Sequence, residues 1–122
     1  MQEDTSFGHN PPLFSRQDLL ERVDGDEELL REVLLIYLED TPLVLANLKQ
    51  GIDANSPEAV ANAAHTLKGS SANIAAERLR YRAWQLEQKA KEGDLDGASA
   101  FYDMLEGDFH ALQEELSPYL GQ

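Results

Sequence analysis

A chain of 122 residues with 42% hydrophobic content can build one core and is short for two domains. Its formal charge of −13 speaks against nonspecific nucleic-acid binding, because phosphate backbones are met by clustered Lys and Arg. It has no cysteine, hence no disulfide and no thiolate metal ligand or nucleophile, and no apolar run approaches the roughly 20 residues of a membrane span.

Residues 1–13 carry Gly8, Asn10, Pro11 and Pro12 without periodicity, and are expected to be a flexible tail or linker. Met1 to Pro12 is polar and does not resemble a secretory signal, so a soluble, cytoplasmic domain is expected. Ser15 is placed to cap a short helix to about Val23, with Phe14 and Leu19 at the spacing of a hydrophobic staple and Gly25 as its stop. Asp26 then caps a longer helix carrying the stripe Leu29, Leu30, Val33, Leu34, Tyr37 and Leu38. Pro42 removes a backbone hydrogen bond, so a kink or a restart capped by Thr41 is expected, continuing through Leu45 and Leu48 to a loop over 51–55.

Ser56, Pro57 and Glu58 form a strong helix start, and the helix they open runs to about Asn73. A fourth helix is expected from about Ala76 to Glu92, with Leu79, Ala83, Leu86 and Ala90 inward and Gly93 closing it. The fifth, capped by Asp94, carries Leu95, Ala98, Phe101, Leu105, Phe109, Leu112, Leu116 and Tyr119 at steps of three and four. No segment alternates as a strand does. Four long amphipathic helices with short connections pack as an up-and-down antiparallel four-helix bundle, with the short N-terminal helix covering one end. Its closed core suggests a monomer.

Charge is unevenly spread: residues 60–91 hold six of the ten basic residues, Lys68, Arg78, Arg80, Arg82, Lys89 and Lys91, against Glu77 and Glu87. Such a stretch is either a solvated basic face or a docking surface for an acidic partner or a phosphoryl group. On the third helix, at 100° per residue, Val60, Ala64, Leu67, Ser71 and Ile74 share the core direction. His65 lies about 140° from that direction, on the outer face. Its neighbours there are all small: Ala61 one turn before, Gly69 one turn after and Ala72 two turns after. A glycine within a helix costs roughly 1 kcal/mol relative to alanine. Clearing side chains from around the imidazole, so that another protein can close over it, accounts for both the glycine and the alanines.

Lys68, three residues on, can lean toward the imidazole and offset the charge of an attached phosphoryl group. Imidazole forms covalent intermediates that can pass such a group onward. His9 and His110 fit ordinary surface residues. Glu106 and His110 lie four apart, but neither the paired Glu-x-x-His of di-iron bundles nor H-E-x-x-H is present, so no metal site and no cofactor are expected.

The stretch Ala64-His65-Thr66-Leu67-Lys68-Gly69-Ser70-Ser71-Ala72-Asn73-Ile74 resembles the signature of histidine-containing phosphotransfer (HPt) domains, and weaker similarity runs from Phe14 to Leu120. It includes the Asp24-Gly25-Asp26 and Gly93-Asp94 turns and the Leu86-Glu87 pair. The resemblance implies a phosphorelay domain over residues 14–120 in which His65 accepts a phosphoryl group from a receiver-domain aspartyl-phosphate and donates it to another receiver aspartate. Lys68 then supplies charge compensation and Gly69 steric access. Ala61, Ala72, Arg78, Gln85 and Gln88 are the candidate docking residues, with Gln85 or Gln88 also in a position to bond the imidazole. One departure is Ala75, where the family usually has glycine, and a less sharp break between helices is expected there.

The chain has no Gly-rich phosphate loop and no carboxylate cluster for a metal, so the reading is of a carrier rather than an enzyme, with Mg²⁺ held by the receiver. Expected partners are response-regulator receiver domains and a histidine kinase, not nucleic acid or the membrane interior, with the proline-bearing tail suggesting a module of a sensor kinase. Two other readings stand beside it: an adaptor bundle that binds receivers without being phosphorylated, and a substrate domain phosphorylated directly by a kinase.

Overall fold

The computed structural model describes residues 11–120, which form five α-helices and a closing 3₁₀ turn: α1 (Arg16–Arg22), α2 (Glu27–Asp53), α3 (Pro57–Asn73), α4 (Glu77–Lys91), α5 (Ala98–Leu116) and the turn Ser117–Leu120. There is no strand among the described residues. Helices α2 to α5 make the four-helix bundle, with α3 packed most extensively on α4 and then on α2. Its core is mostly leucine and alanine, including Leu30, Leu34, Leu48, Leu67, Leu79, Leu86, Leu105 and Leu112. Phe14 and Leu19 join it, so α1 covers one end.

Three helix starts are local chemistry. The Ser15 side chain accepts from Asp18 N, Asp26 from Glu28 N and Leu29 N, and Ser56 from Ala59 N, each satisfying backbone N–H groups that the first turn leaves unpaired. Helix ends share a second device. Asp24, Asn55, Ala75 and Gly93 all have positive φ, 55°, 54°, 63° and 77°. The residue after each returns its N–H to a carbonyl five back, in Gly25 to Leu20, Ser56 to Gly51, Ala76 to Ser71 and Asp94 to Lys89. This left-handed cap ends each of these helices and turns the chain out of the helix direction. At Ala75 the break is therefore as sharp as a glycine would make it, contrary to the expectation of a softer turn. The buried alanine adopts the left-handed conformation that L-residues disfavour by about 1–2 kcal/mol, held by Ser15 N donating to its carbonyl.

Four further expectations are corrected. No restart occurs at Pro42, because α2 runs unbroken from Glu27 to Asp53. Thr41 lies inside the helix, its hydroxyl donating to the Tyr37 carbonyl at 2.6 Å, while Pro42 stands on the solvent side, where water can serve a carbonyl freed by the missing N–H. Residues 51–53 are helix rather than loop. Gly51 is buried where α3 crosses, and a Cβ on it would lie 3.1 Å from Ala59 Cβ, Val60 Cγ2 and Val60 N. Finally, Asp94 caps no helix: its carboxylate accepts from Asp96 N and from Lys89, and α5 begins only at Ala98 after Gly97. Tyr119 likewise leaves the expected apolar stripe and lies exposed in the 3₁₀ turn under the Arg16 guanidinium, 5.1 Å from its ring centre.

Residues 1–10, with most of the expected tail and His9, lie outside the described residues. Pro11 to Leu13 pack on the bundle: Arg78 donates from its backbone N to Pro12 O at 3.0 Å and from Nε to Pro11 O at 2.9 Å. No helix among the described residues is long and apolar enough to cross a membrane.

Candidate functional site

Val60, Ala64, Leu67, Ser71 and Ile74 bury the inner face of α3, and His65 is turned out from it as the helical wheel requires, its side chain 67% exposed. Gly69 stands one turn beyond on the same face, exposed, and a Cβ there would meet nothing within 4 Å. Ala61 and Ala72 flank it, half-buried. The approach to the imidazole from the α3 side is thus low and open.

From the other side α4 supplies a partner that the helical wheel of α3 alone does not reveal. Glu87, only 1% exposed, places Oε2 2.9 Å from His65 Nδ1. The same carboxylate meets Lys68 Nζ at 2.9 Å through Oε1 and Lys91 Nζ at 3.3 Å through Oε2. Burial opposes ionisation of Glu87, but the contacts with Lys68, His65 and Lys91 together outweigh it and hold the carboxyl below its ordinary range. Being ionised, it can only accept, so Nδ1 carries the proton and donates. In the neutral imidazole this leaves Nε2 with its lone pair, the arrangement a nucleophile needs.

This geometry corrects two details. The imidazole is held from α4 by Glu87, not by Gln85 or Gln88, which are half-buried on other faces of that helix. Lys68 reaches the site through Glu87 rather than resting directly on the ring. A signal for Glu87 existed in the sequence. The basic stretch holds two acids, and both prove to be buried and ion-paired, Glu87 here and Glu77 with Arg80 at 2.7 Å.

The remaining cations of that stretch are also engaged within the chain. Lys89 pairs with Asp94 at 3.1 Å, Arg82 with Asp108 at 2.7 Å, and Arg78 holds the Pro11 and Pro12 carbonyls. The stretch therefore tethers the surroundings of α4 rather than presenting a free cationic patch. A groove between α1, α2 and α3 is floored by Val33, Val44 and Ile74 and walled on α3 by Thr66, Ser70 and Asn73. Ile36 and Leu43 stand at its edge, 57% and 69% exposed. His110 is exposed and shares a contact with Gln113 at 3.2 Å, and no group of three or more His, Asp or Glu among the described residues is placed to hold a metal.

Comparison with known proteins follows this geometry. A family model described as Hpt domain matches residues 32–117. The chain is 26% identical over 106 residues to the phosphorelay intermediate protein rdeA of Dictyostelium discoideum, covering 87% of this chain and 42% of that one. It is 23% identical over 96 residues to histidine-containing phosphotransfer protein 2 of Arabidopsis thaliana, covering 76% and 62% of the two chains, so it spans about half the length of these relatives. In structure it is similar to histidine-containing phosphotransfer protein B of Pseudomonas aeruginosa, with a TM-score of 0.84, 24% identity, and coverage of 90% of this chain and 96% of that one.

Proposed function

The chain belongs to the Hpt domain family of phosphorelay signal transduction, and on that premise we propose that His65 is the phosphoryl carrier of a domain spanning residues 14–120. The observation that carries this reading is the buried Glu87 carboxylate on Nδ1 of an exposed His65, which anchors the imidazole through one nitrogen and leaves Nε2 outside that contact.

The lone pair of Nε2 attacks the phosphorus of a receiver aspartyl-phosphate in line with the bond to the aspartate oxygen. The N–P bond forms as the O–P bond breaks, and the aspartate leaves as carboxylate. The proton stays on Nδ1, donated to the Glu87 carboxylate, whose negative charge meets the positive charge that develops on the ring. Lys68, three residues along α3 from His65, turns toward the phosphoryl oxygens. Gly69 lets the receiver close to bonding distance. Reversal of the same steps hands the group to a second receiver. Phosphoryl transfer depends chiefly on positioning and charge, so the carrier contributes a fixed nucleophile while Mg²⁺ and the acceptor carboxylate belong to the receiver.

Docking of the receiver falls to the apolar groove edged by Ile36 and Leu43 together with Ala61, Ala72 and the outer residues Gln85 and Gln88 of α4. Arg78 acts behind this surface, holding the N-terminal segment. A histidine kinase upstream of the receivers completes the partner set, and the domain works on the cytoplasmic side as a monomer between encounters.

The test is incubation of wild type and His65→Gln with receiver domains carrying labelled phosphate. Acid-labile, base-stable label on wild type and none on the variant is the expected result. Label on neither protein, or on both alike, overturns the assignment, and retained receiver binding in that case identifies an adaptor. Label appearing only with a kinase and ATP, never from a receiver, makes this a kinase substrate domain instead.

A further inference from the structure

Lys91 is not needed to hold the resting imidazole, yet its ammonium group lies 3.3 Å from Glu87 Oε2 while most of its side chain, 58%, stays exposed. One buried carboxylate thus has two lysines and an imidazole N–H around it. A single cation would pair it, so the site at rest carries one cation in excess. With His65 neutral, the formal charges of Glu87, Lys68 and Lys91 leave one positive charge. Transfer of a phosphoryl group from an acyl phosphate adds one net negative charge: two on the phosphoryl oxygens, one positive on the ring. The loaded site with both lysines is therefore neutral, and without Lys91 it would be negative around a buried carboxylate.

The two lysines are not equivalent. Lys68 is 28% exposed, sits on the helix of His65 and meets Oε1. That oxygen is buried, and Lys68 at 2.9 Å is the cation on it. When Lys68 turns to the phosphoryl oxygens, Oε1 loses its cation while the contacts of His65 and Lys91 stay on Oε2, and a buried carboxylate is costly unless both oxygens are well paired. Lys91, one turn beyond Glu87 on α4 and exposed along most of its side chain, is placed to move from Oε2 to Oε1. Resting on the carrier assignment above, we propose that Lys91 is a positioning residue that takes over the Glu87 carboxylate when Lys68 moves to the phosphoryl group.

The test uses the whole chain and phosphoramidate, a small donor that requires no receiver. Wild type, Lys91→Met, Lys91→Arg and His65→Gln are loaded while phosphohistidine is followed by ³¹P NMR and the lysine ammonium signals by ¹H–¹⁵N NMR. Because Lys91 is exposed, a roughly two- to fivefold lower loading rate and plateau is expected in Lys91→Met, the range of an exposed pair, with recovery in Lys91→Arg. In wild type the Lys68 ammonium signal shifts on loading, and in Lys91→Met it does not. Loading of Lys91→Met equal to wild type, an unchanged Lys68 signal in wild type, or failure of arginine to restore loading overturns the proposal with the carrier role intact. Absence of any phosphohistidine that depends on His65 overturns the carrier assignment itself.

Discussion

Replacing Gly69 should make the protein more stable and less active. The residue lies within α3, its backbone is ordinary right-handed helix, and an added Cβ meets nothing within 4 Å, so the folded state accepts a side chain without strain. Relative to glycine, alanine in a helix interior is favoured by about 0.8–1 kcal/mol. For a domain of this size that corresponds to a rise in Tm of about 3–5 °C. Gly69→Gln should gain nearly as much, glutamine being a good helix former. The longer side chain, however, rises one turn from His65 into the space that a receiver must occupy. Holding the reacting groups about 1 Å too far apart can cost on the order of 10²-fold in rate. Thermal melts of wild type, Gly69→Ala and Gly69→Gln read the first effect. Transfer from a phosphorylated receiver, beside labelling by phosphoramidate, reads the second. The small donor should label all three at similar rates while receiver transfer falls steeply in Gly69→Gln and mildly in Gly69→Ala. Receiver transfer at the wild-type rate in Gly69→Gln, or a lowered Tm in Gly69→Ala, refutes the reasoning.

Gly51→Ala is the opposite case: the same substitution in another helix meets Val60 backbone and two side-chain carbons at 3.1 Å, so a net loss of about 1 kcal/mol is expected in denaturant melts despite the gain in helix propensity. Tyr37 and Ser71 share a buried hydroxyl contact at 2.8 Å between α2 and α3, and burial pushes the Tyr37 phenol up to about 12 against the lowering effect of its Ser71 and Thr41 hydrogen bonds. Tyr37→Phe should cost about 1 kcal/mol in the same melts, and a neutral result would show that the pair contributes no net stability. Glu87 titrates lower when folded than when unfolded, so the unfolded chain binds the extra proton and stability rises with pH across that interval. Its contribution is complete above the ordinary carboxylate value of about 4.3 and is lost as pH falls through the lower folded value. Asp108, raised chiefly by burial, has the opposite sign, so the difference between wild type and Glu87→Gln in melts across acid pH isolates Glu87: the two curves should converge as pH falls, and parallel curves would contradict the assignment.

What was legible in the sequence were features settled within one helical turn. Ser15, Asp26 and Ser56 cap as their spacing implies because donor and acceptor are two or three residues apart. The outward turn of His65 and the inward stripe of α3 follow from the same local periodicity. Misreadings arose where tertiary contact overrides a local rule. Pro42 breaks helices in isolation, but buried neighbours on both sides, Thr41 and Leu45 among them, hold α2 continuous through it. Gly51 reads as a loop residue until the approach of α3 is known. Glu87 lies 22 residues from His65, so no spacing rule within one helix could connect them. The bundle follows from the helical periodicity, while the pairing of Glu87 with His65 belongs to the register of α3 against α4.

That register explains why a charged group is kept in so buried a place. Burying a carboxylate is costly unless it is well paired, and an apolar residue at position 87 would pack at less expense. An exposed histidine without Glu87 would be free to rotate and to carry its proton on either nitrogen. Glu87 removes that choice by engaging Nδ1, and on the carrier role proposed above this leaves Nε2 as the nucleophile. It also moderates Lys68, because any attraction between Lys68 and a phosphoryl group is offset by the loss of its contact with Glu87. A lysine with no competing partner would hold the phosphoryl group more tightly and slow its departure. On the proposed carrier role, sharing Lys68 between a fixed carboxylate and a transient phosphoryl group would keep the two states close in free energy, which is the condition for a carrier that must give up what it accepts.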